Sequence, residues 1–182
     1  MALAMAAGGA IGAIHFILSG QDRLAPPCAV FAAAGLATLG WLIAASNQRT
    51  LSRKQHTLNL LMQMRHAEAY NRHHSALSLL SPGATPISAE LLALMRDQRQ
   101  PANEGEKAFR TAAVYILNYW EFVCAALTVG DLDAELMRRT VRQHIVGYHS
   151  KFAAFIDAER AAGDRLVYQQ LRAIANDWRS PD

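Results

Sequence analysis

Apolar residues fill two long runs at the start of the chain, Ala2 to Ser19 and Pro27 to Ala45. Between them stand the only two charges of the first 48 residues, the adjacent Asp22 and Arg23. At ~1.5 Å per residue, a helix of either length suits a hydrocarbon core of roughly 30 Å. Neither run shows the polar stripe that a water-soluble amphipathic helix needs. The pattern predicts a two-span transmembrane hairpin over residues 1–46. The first run lacks the basic start of a cleaved signal peptide, and a second run follows within ten residues, so both are read as retained spans.

After Ala45 the pattern changes to helical periodicity. Ser46 to Leu80 contains no Gly or Pro, so the second span is expected to continue as a basic stalk helix over 47–80. Its apolar stripe, Leu51, Leu58, Leu61, Met62, Leu77 and Leu80, is patchy. Ser81-Pro82-Gly83 ends it. A short helix is expected over about Ser88 to Arg99, with Ser88 as its cap. Next comes the strongest soluble-type pattern, Phe109, Ala113, Ile116, Trp120, Val123 and Leu127, which predicts a helix over 106–129. Gly130 stops it. Asp133 is read as the N-cap of a helix to about Ala161, with Gly163 as its terminator, and a last helix is expected over 164–178. No segment alternates at period two for long enough to be a strand. The fold class is therefore all-α, with residues 81–182 as a small helical bundle.

Thr111 to Gly130 holds a single charge and could be taken for a third span. Asn118 and Glu121 at its centre favour the core helix of a bundle instead, because lipid penalises such groups most at mid-depth.

The formal net charge is +3, and its distribution is uneven. Arg49 to Leu80 carries five basic residues against one acid, whereas residues 81–182 carry 12 against 13. Arg49, Arg53 and Lys54 directly follow the second span. By the rule that basic loops stay inside, they place both termini in the cytoplasm and the Gly20–Pro26 loop outside, and they are candidate contacts for anionic headgroups of a bacterial inner membrane. Gly8 and Gly12 on one span, with Gly35 and Gly40 on the other, are candidate faces for close helix packing. His15 near the outer interface is read as a neutral imidazole at headgroup level. The basic excess of the stalk is small and Tyr70 is its lone aromatic, which favours lipid over nucleic acid as its partner.

Candidate chemistry is sparse. A buried carboxylate at Glu121 needs partners. The reading adopted is a core polar network of Asn118, Tyr119, Glu121, Arg142 and His144; the alternative is a membrane-bound enzyme or effector in which Glu121 works as a base with His144 or Tyr119. The histidine spacings do not suit a helical metal site: His66 to His73 is seven, and His144 to His149 is five. His66-Ala67-Glu68 lacks the cysteine half of a zinc-deaminase signature. Cys28 and Cys124 fall in separate apolar elements and do not form a disulfide framework. No nucleophile elbow, phosphate loop or dinucleotide fingerprint occurs, so neither a cofactor nor a metal is expected.

Arg53-Lys-Gln-His-Thr-Leu-Asn-Leu-Leu61, then Ile116-Leu-Asn-Tyr-Trp-Glu-Phe122 followed by Gly130-Asp-Leu-Asp133, and later Phe155-Ile-Asp-Ala-Glu-Arg160, resemble an uncharacterised bacterial and phage family of membrane-anchored domains of unknown function. In that family an Asn-Tyr-aromatic-Glu core motif leads into a Gly-x-x-Asp turn and a long helix. The resemblance covers most of Arg49 to Arg160. It implies an all-helical domain behind an N-terminal anchor and carries no activity with it. The functional expectation is a non-enzymatic, membrane-anchored domain that binds or positions a protein partner or a second copy of itself. A further alternative is an anchor subunit of a larger membrane complex, with the glycine faces as its interface.

Overall fold

The computed structural model describes residues 25–163 and 165–179, together with Ile11, Ile14, His15 and Leu18. Those four are helical and exposed; the rest of the expected first span, including Gly8 and Gly12, lies outside the described residues. All regular structure among the described residues is helical. The helices are α1 (Ala25–His66), α2 (Glu68–Leu80), α3 (Ala89–Met95), α4 (Glu104–Val129), α5 (Ala134–Ala161) and α6 (Gln169–Arg179). The chain forms two compact units, Met1–Ser52 and Arg53–Asp182.

In the first unit, α1 runs through the expected second span without interruption. Val30, Phe31, Leu36, Trp41, Leu42 and Ile43 are all exposed. Gly35 is buried, whereas Gly40 is exposed with open space around it. Two described helices, α1 and α4, are long and apolar enough to cross a membrane. Only 6% of the most apolar window of α1 is buried within the protein, against 44% for that of α4. The apolar face of α4 is a protein core, so the sequence reading of 111–130 as a bundle helix holds.

The second unit is built around α4. Phe109, Ile116, Trp120 and Val123 are sealed from solvent, and so are Leu77 of α2, Leu94 of α3, Met137, Ile145, Phe152 and Ile156 of α5, and Leu171 of α6. The α2 helix packs along α4, α6 lies against both α4 and α5, and α3 touches α4 and α5. Ser88 and Asp133 cap their helices as the sequence predicts, and Asn103 does the same for α4. Ser88 accepts from Leu91 N–H, Asn103 from Glu106 N–H at 2.9 Å, and Asp133 from Leu136 N–H at 2.9 Å. Gly130 closes α4 in the left-handed conformation, φ 80°, as a C-terminal glycine does most readily.

Two boundaries differ from expectation. The stalk expected to run unbroken to Leu80 divides at Ala67, whose ψ of 107° is extended. Neither Gly nor Pro causes this. Continuing the inward-facing line Thr57, Leu61, Met64 at helical spacing would turn Glu68 and Asn71 inward. The break re-phases the chain so that Tyr70 and Leu77 enter the core instead. Asn71 Nδ2 donates to the freed carbonyl of Arg65 at 3.1 Å. Residues 68–80 therefore belong to the bundle. The last helix starts at Gln169, later than expected, after a turn that includes Tyr168 at φ 50°.

Candidate functional site

Glu121 lies on the side of α4 that meets α6. Its Oε1 accepts from Gln170 N–H at 3.0 Å and its Oε2 from Leu171 N–H at 2.7 Å. These donors belong to the first turn of α6, where N–H groups have no partner within the helix and the helix dipole favours negative charge. Glu121 thus caps a helix 49 residues away. Thr128 Oγ1 donates to Gln170 Oε1 at 2.9 Å beside it.

The other four expected network members are dealt out elsewhere. Asn118 is exposed on the outer face of α4, a correction to its expected burial. Tyr119 joins an aromatic cluster, with ring centroids 5.0 Å from Tyr70 and 5.4 Å from Trp120. His144 stacks on Trp120 at 6.1 Å, and Tyr148 lies 6.3 Å from the same indole. Tyr119 and His144 therefore meet on Trp120, while Glu121 serves α6. Arg142 donates its Nε to the Trp178 carbonyl at 2.7 Å. Burial holds the Tyr70 and Tyr119 hydroxyls above the usual tyrosine range, and it depresses the proton affinity of His144, helped by His74. The Cys124 thiol is pushed up to about 12, by burial first and then by Glu121. A thiol so poised is a poor nucleophile at neutral pH. Among the described residues, no three His, Cys, Asp or Glu side chains are placed to hold a metal ion.

Arg49, Arg53 and Lys54 are exposed. Arg53 has a second role in its own unit. Its guanidinium lies over Gly130, where a β-carbon would come within 3.4 Å of Nη2. One turn on, Thr57 Oγ1 accepts from Asp133 N–H at 2.8 Å. The segment after the apolar run is thereby fastened to the Gly130–Asp133 turn.

Sequence reasoning missed a cleft along α5. It is open, has a volume of about 1260 Å³, and is lined by Arg138, Arg139, Arg142, His144, Ser150 and Arg179 among others. Arg138 and Arg142 stand four apart on one helix face, a spacing visible in the sequence; Arg179 joins them only through the packing of α6. Arg179 Nη2 bonds His149 Nδ1 at 3.2 Å and donates to Ser150 Oγ at 3.1 Å. Burial first, then Arg179 and Arg172, lower the proton affinity of His149. Lys151, buried at the inner end of this face, donates to the Ser81 carbonyl, and burial lowers its proton affinity too.

An apolar helix bearing no core of its own, joined to a helical bundle whose most distinctive carboxylate is spent on a helix cap, defines a class by architecture and by no reaction. Within that class the chain belongs to the DUF4760 family, a domain of unknown function whose profile matches residues 28–178. The match takes in the apolar part of α1 as well as the bundle. No curated protein and no solved structure matches the chain.

Proposed function

We propose that the protein is a non-enzymatic, membrane-tethered helical domain that binds or positions a protein partner, another copy of the chain included, at the cytoplasmic face of a bacterial inner membrane. The observation that carries this reading is the bare apolar surface of α1, of which 6% of the most apolar window is covered by the protein itself. So much exposed hydrocarbon in one segment marks a surface meant for lipid. Arg49, Arg53 and Lys54 beside it support the inward orientation and contact with anionic headgroups.

The bundle supports binding over catalysis in two ways. Both oxygens of Glu121 are taken by backbone N–H groups of α6, which is a structural task. The outer face of α4 also leaves Phe122 and Val129 about 70% exposed, with Val114 and Tyr115 on the same side. Large apolar side chains in such a row are where a partner would gain most from burial.

The test is assembly size. The full chain in phosphatidylcholine nanodiscs, incubated with solubilised membranes of its source cell, is expected to shift into a larger complex. Phe122→Lys with Val129→Lys is expected to abolish that shift with an unchanged melting temperature. A chain that stays monomeric throughout contradicts the partner reading.

A further inference from the structure

The chain carries fifteen arginines and only three lysines. Lys54 and Lys107 are exposed. The third, Lys151, is 4% exposed, the one buried lysine or arginine among the described residues. Its Nζ donates to the carbonyl of Ser81, the residue that ends α2. Burial lowers its proton affinity, and no carboxylate among the described residues offsets that. A guanidinium would serve the same carbonyl and stay charged; an amine is the group that gives up its proton when desolvated. One carbonyl engages one N–H, so the neutral amine keeps a lone pair for other chemistry.

Lys151 also has open space beside it. With Leu77 and Tyr148, both buried, it floors a recess of about 250 Å³ whose rim carries the exposed His74, Ser78 and His144. Gly147 keeps the opening clear, since a β-carbon there would stand 3.6 Å from that of Ala84. The rings around the recess rest on two side chains with unmet polar atoms. His74 packs on Tyr70 at 6.3 Å, and His144 and Tyr148 pack on Trp120 at 6.1 and 6.3 Å. Tyr70 Oη and Trp120 Nε1 are buried there with no hydrogen-bond partner. Such groups are costly in a core that only has to pack, and perturbed groups of this kind gather at sites that act.

A lysine desolvated in this way is a nucleophile towards carbonyl carbon. The recess is smaller than the roughly 300–1,000 Å³ of ordinary ligand pockets, so the carbonyl compound must be small. We propose that Lys151 holds a small aldehyde in this recess as a reversible imine. The Nζ lone pair forms a bond to the carbonyl carbon. The C=O π pair moves to oxygen, which takes up the proton that nitrogen sheds. The C–O bond of the carbinolamine then breaks: oxygen leaves as water with the second amine proton, and the nitrogen pair closes C=N. Burial holds the Tyr148 hydroxyl in its protonated form, so a proton donor lines the same space. Hydrolysis by the reverse path releases the aldehyde, and no oxidant or reductant takes part. This is binding without turnover, and it stands independently of the membrane reading.

The experiment uses the full chain in phosphatidylcholine nanodiscs, whose lipid has no competing amine. Glycolaldehyde is added near neutral pH with cyanoborohydride as the hydride donor that traps imines, and peptide mass mapping follows the three lysines over time. Lys151 is expected to be modified several times faster than the exposed Lys54 and Lys107, and in denaturant the three should react alike. Gly147→Val, which narrows the opening, is expected to slow Lys151 and leave the other two unchanged. Lys151→Arg keeps a donor for the Ser81 carbonyl and should retain the melting temperature while losing the fast phase. A poorly folded Lys151→Arg does not affect the decision, because the rates are compared within the unaltered chain. Modification of Lys151 no faster than that of Lys107 overturns the proposal and leaves the side chain a cap for α2. A fast reaction that Gly147→Val does not slow also overturns it, because the recess would then play no part.

Discussion

At the scale of single residues, Glu121 sets the pattern. Its place in the most apolar helix of the bundle singles it out as needing partners, and that much is legible from the spacing of apolar positions. The partners themselves are backbone N–H groups 49 and 50 residues on, which no local pattern reveals. Glu121→Ala is expected to cost about 0.5–2 kcal/mol, as loss of a helix cap does, and to raise hydrogen exchange selectively in α6; uniform exchange would refute the capping role. The histidines give a second residue-scale expectation. His149, facing Arg179, Arg172 and Asp157, and His144, facing His74 and Trp120, both take a proton less readily folded than unfolded. Below the ordinary value of 6.5 the unfolded chain then binds more protons. Stability is therefore full above about pH 6.5 and falls as pH drops towards the lower folded values. Melting temperatures at pH 7.5 and 5.5 check the sign, and His149→Gln should flatten the difference. A separate acid loss belongs to Glu106, held at about 2 by its paired bonds from Arg99 and by Ala102 N–H; its contribution is present above 4.5 and fades towards 2.

Helices differ in how far their own residues announce them, for physical reasons. Helices α4 and α5 carry their own punctuation: Asn103, Gly130 and Asp133 act on groups within a few residues of themselves. The break at Ala67 has no such local signal, because it exists to bring Tyr70 and Leu77 onto α4, a demand of packing. Leu77→Ala is accordingly expected to cost about 2–5 kcal/mol, whereas Leu79→Ala, at a position 82% exposed, should change stability by under roughly 0.5 kcal/mol. Gly130→Ala meets both a left-handed backbone, φ 80°, and the Arg53 guanidinium. A loss of about 1 kcal/mol is expected from the backbone alone, readable as a shift of the denaturation midpoint.

At the scale of the whole molecule, the fold class and the apolar helix were plain in the sequence, because charge depletion and helical periodicity are local properties of the chain. The cationic cleft was not, since Arg179 reaches α5 only after α6 has docked. The most continuous apolar surface among the described residues is that of α1, which the proposed function assigns to lipid. Alkaline carbonate extraction of membranes holding the full chain tests this most directly. The full chain is expected to stay with the lipid pellet, while a chain beginning at Arg53 is released as a folded helical domain. Recovery of the full chain in the supernatant, folded and free of detergent, would contradict the account.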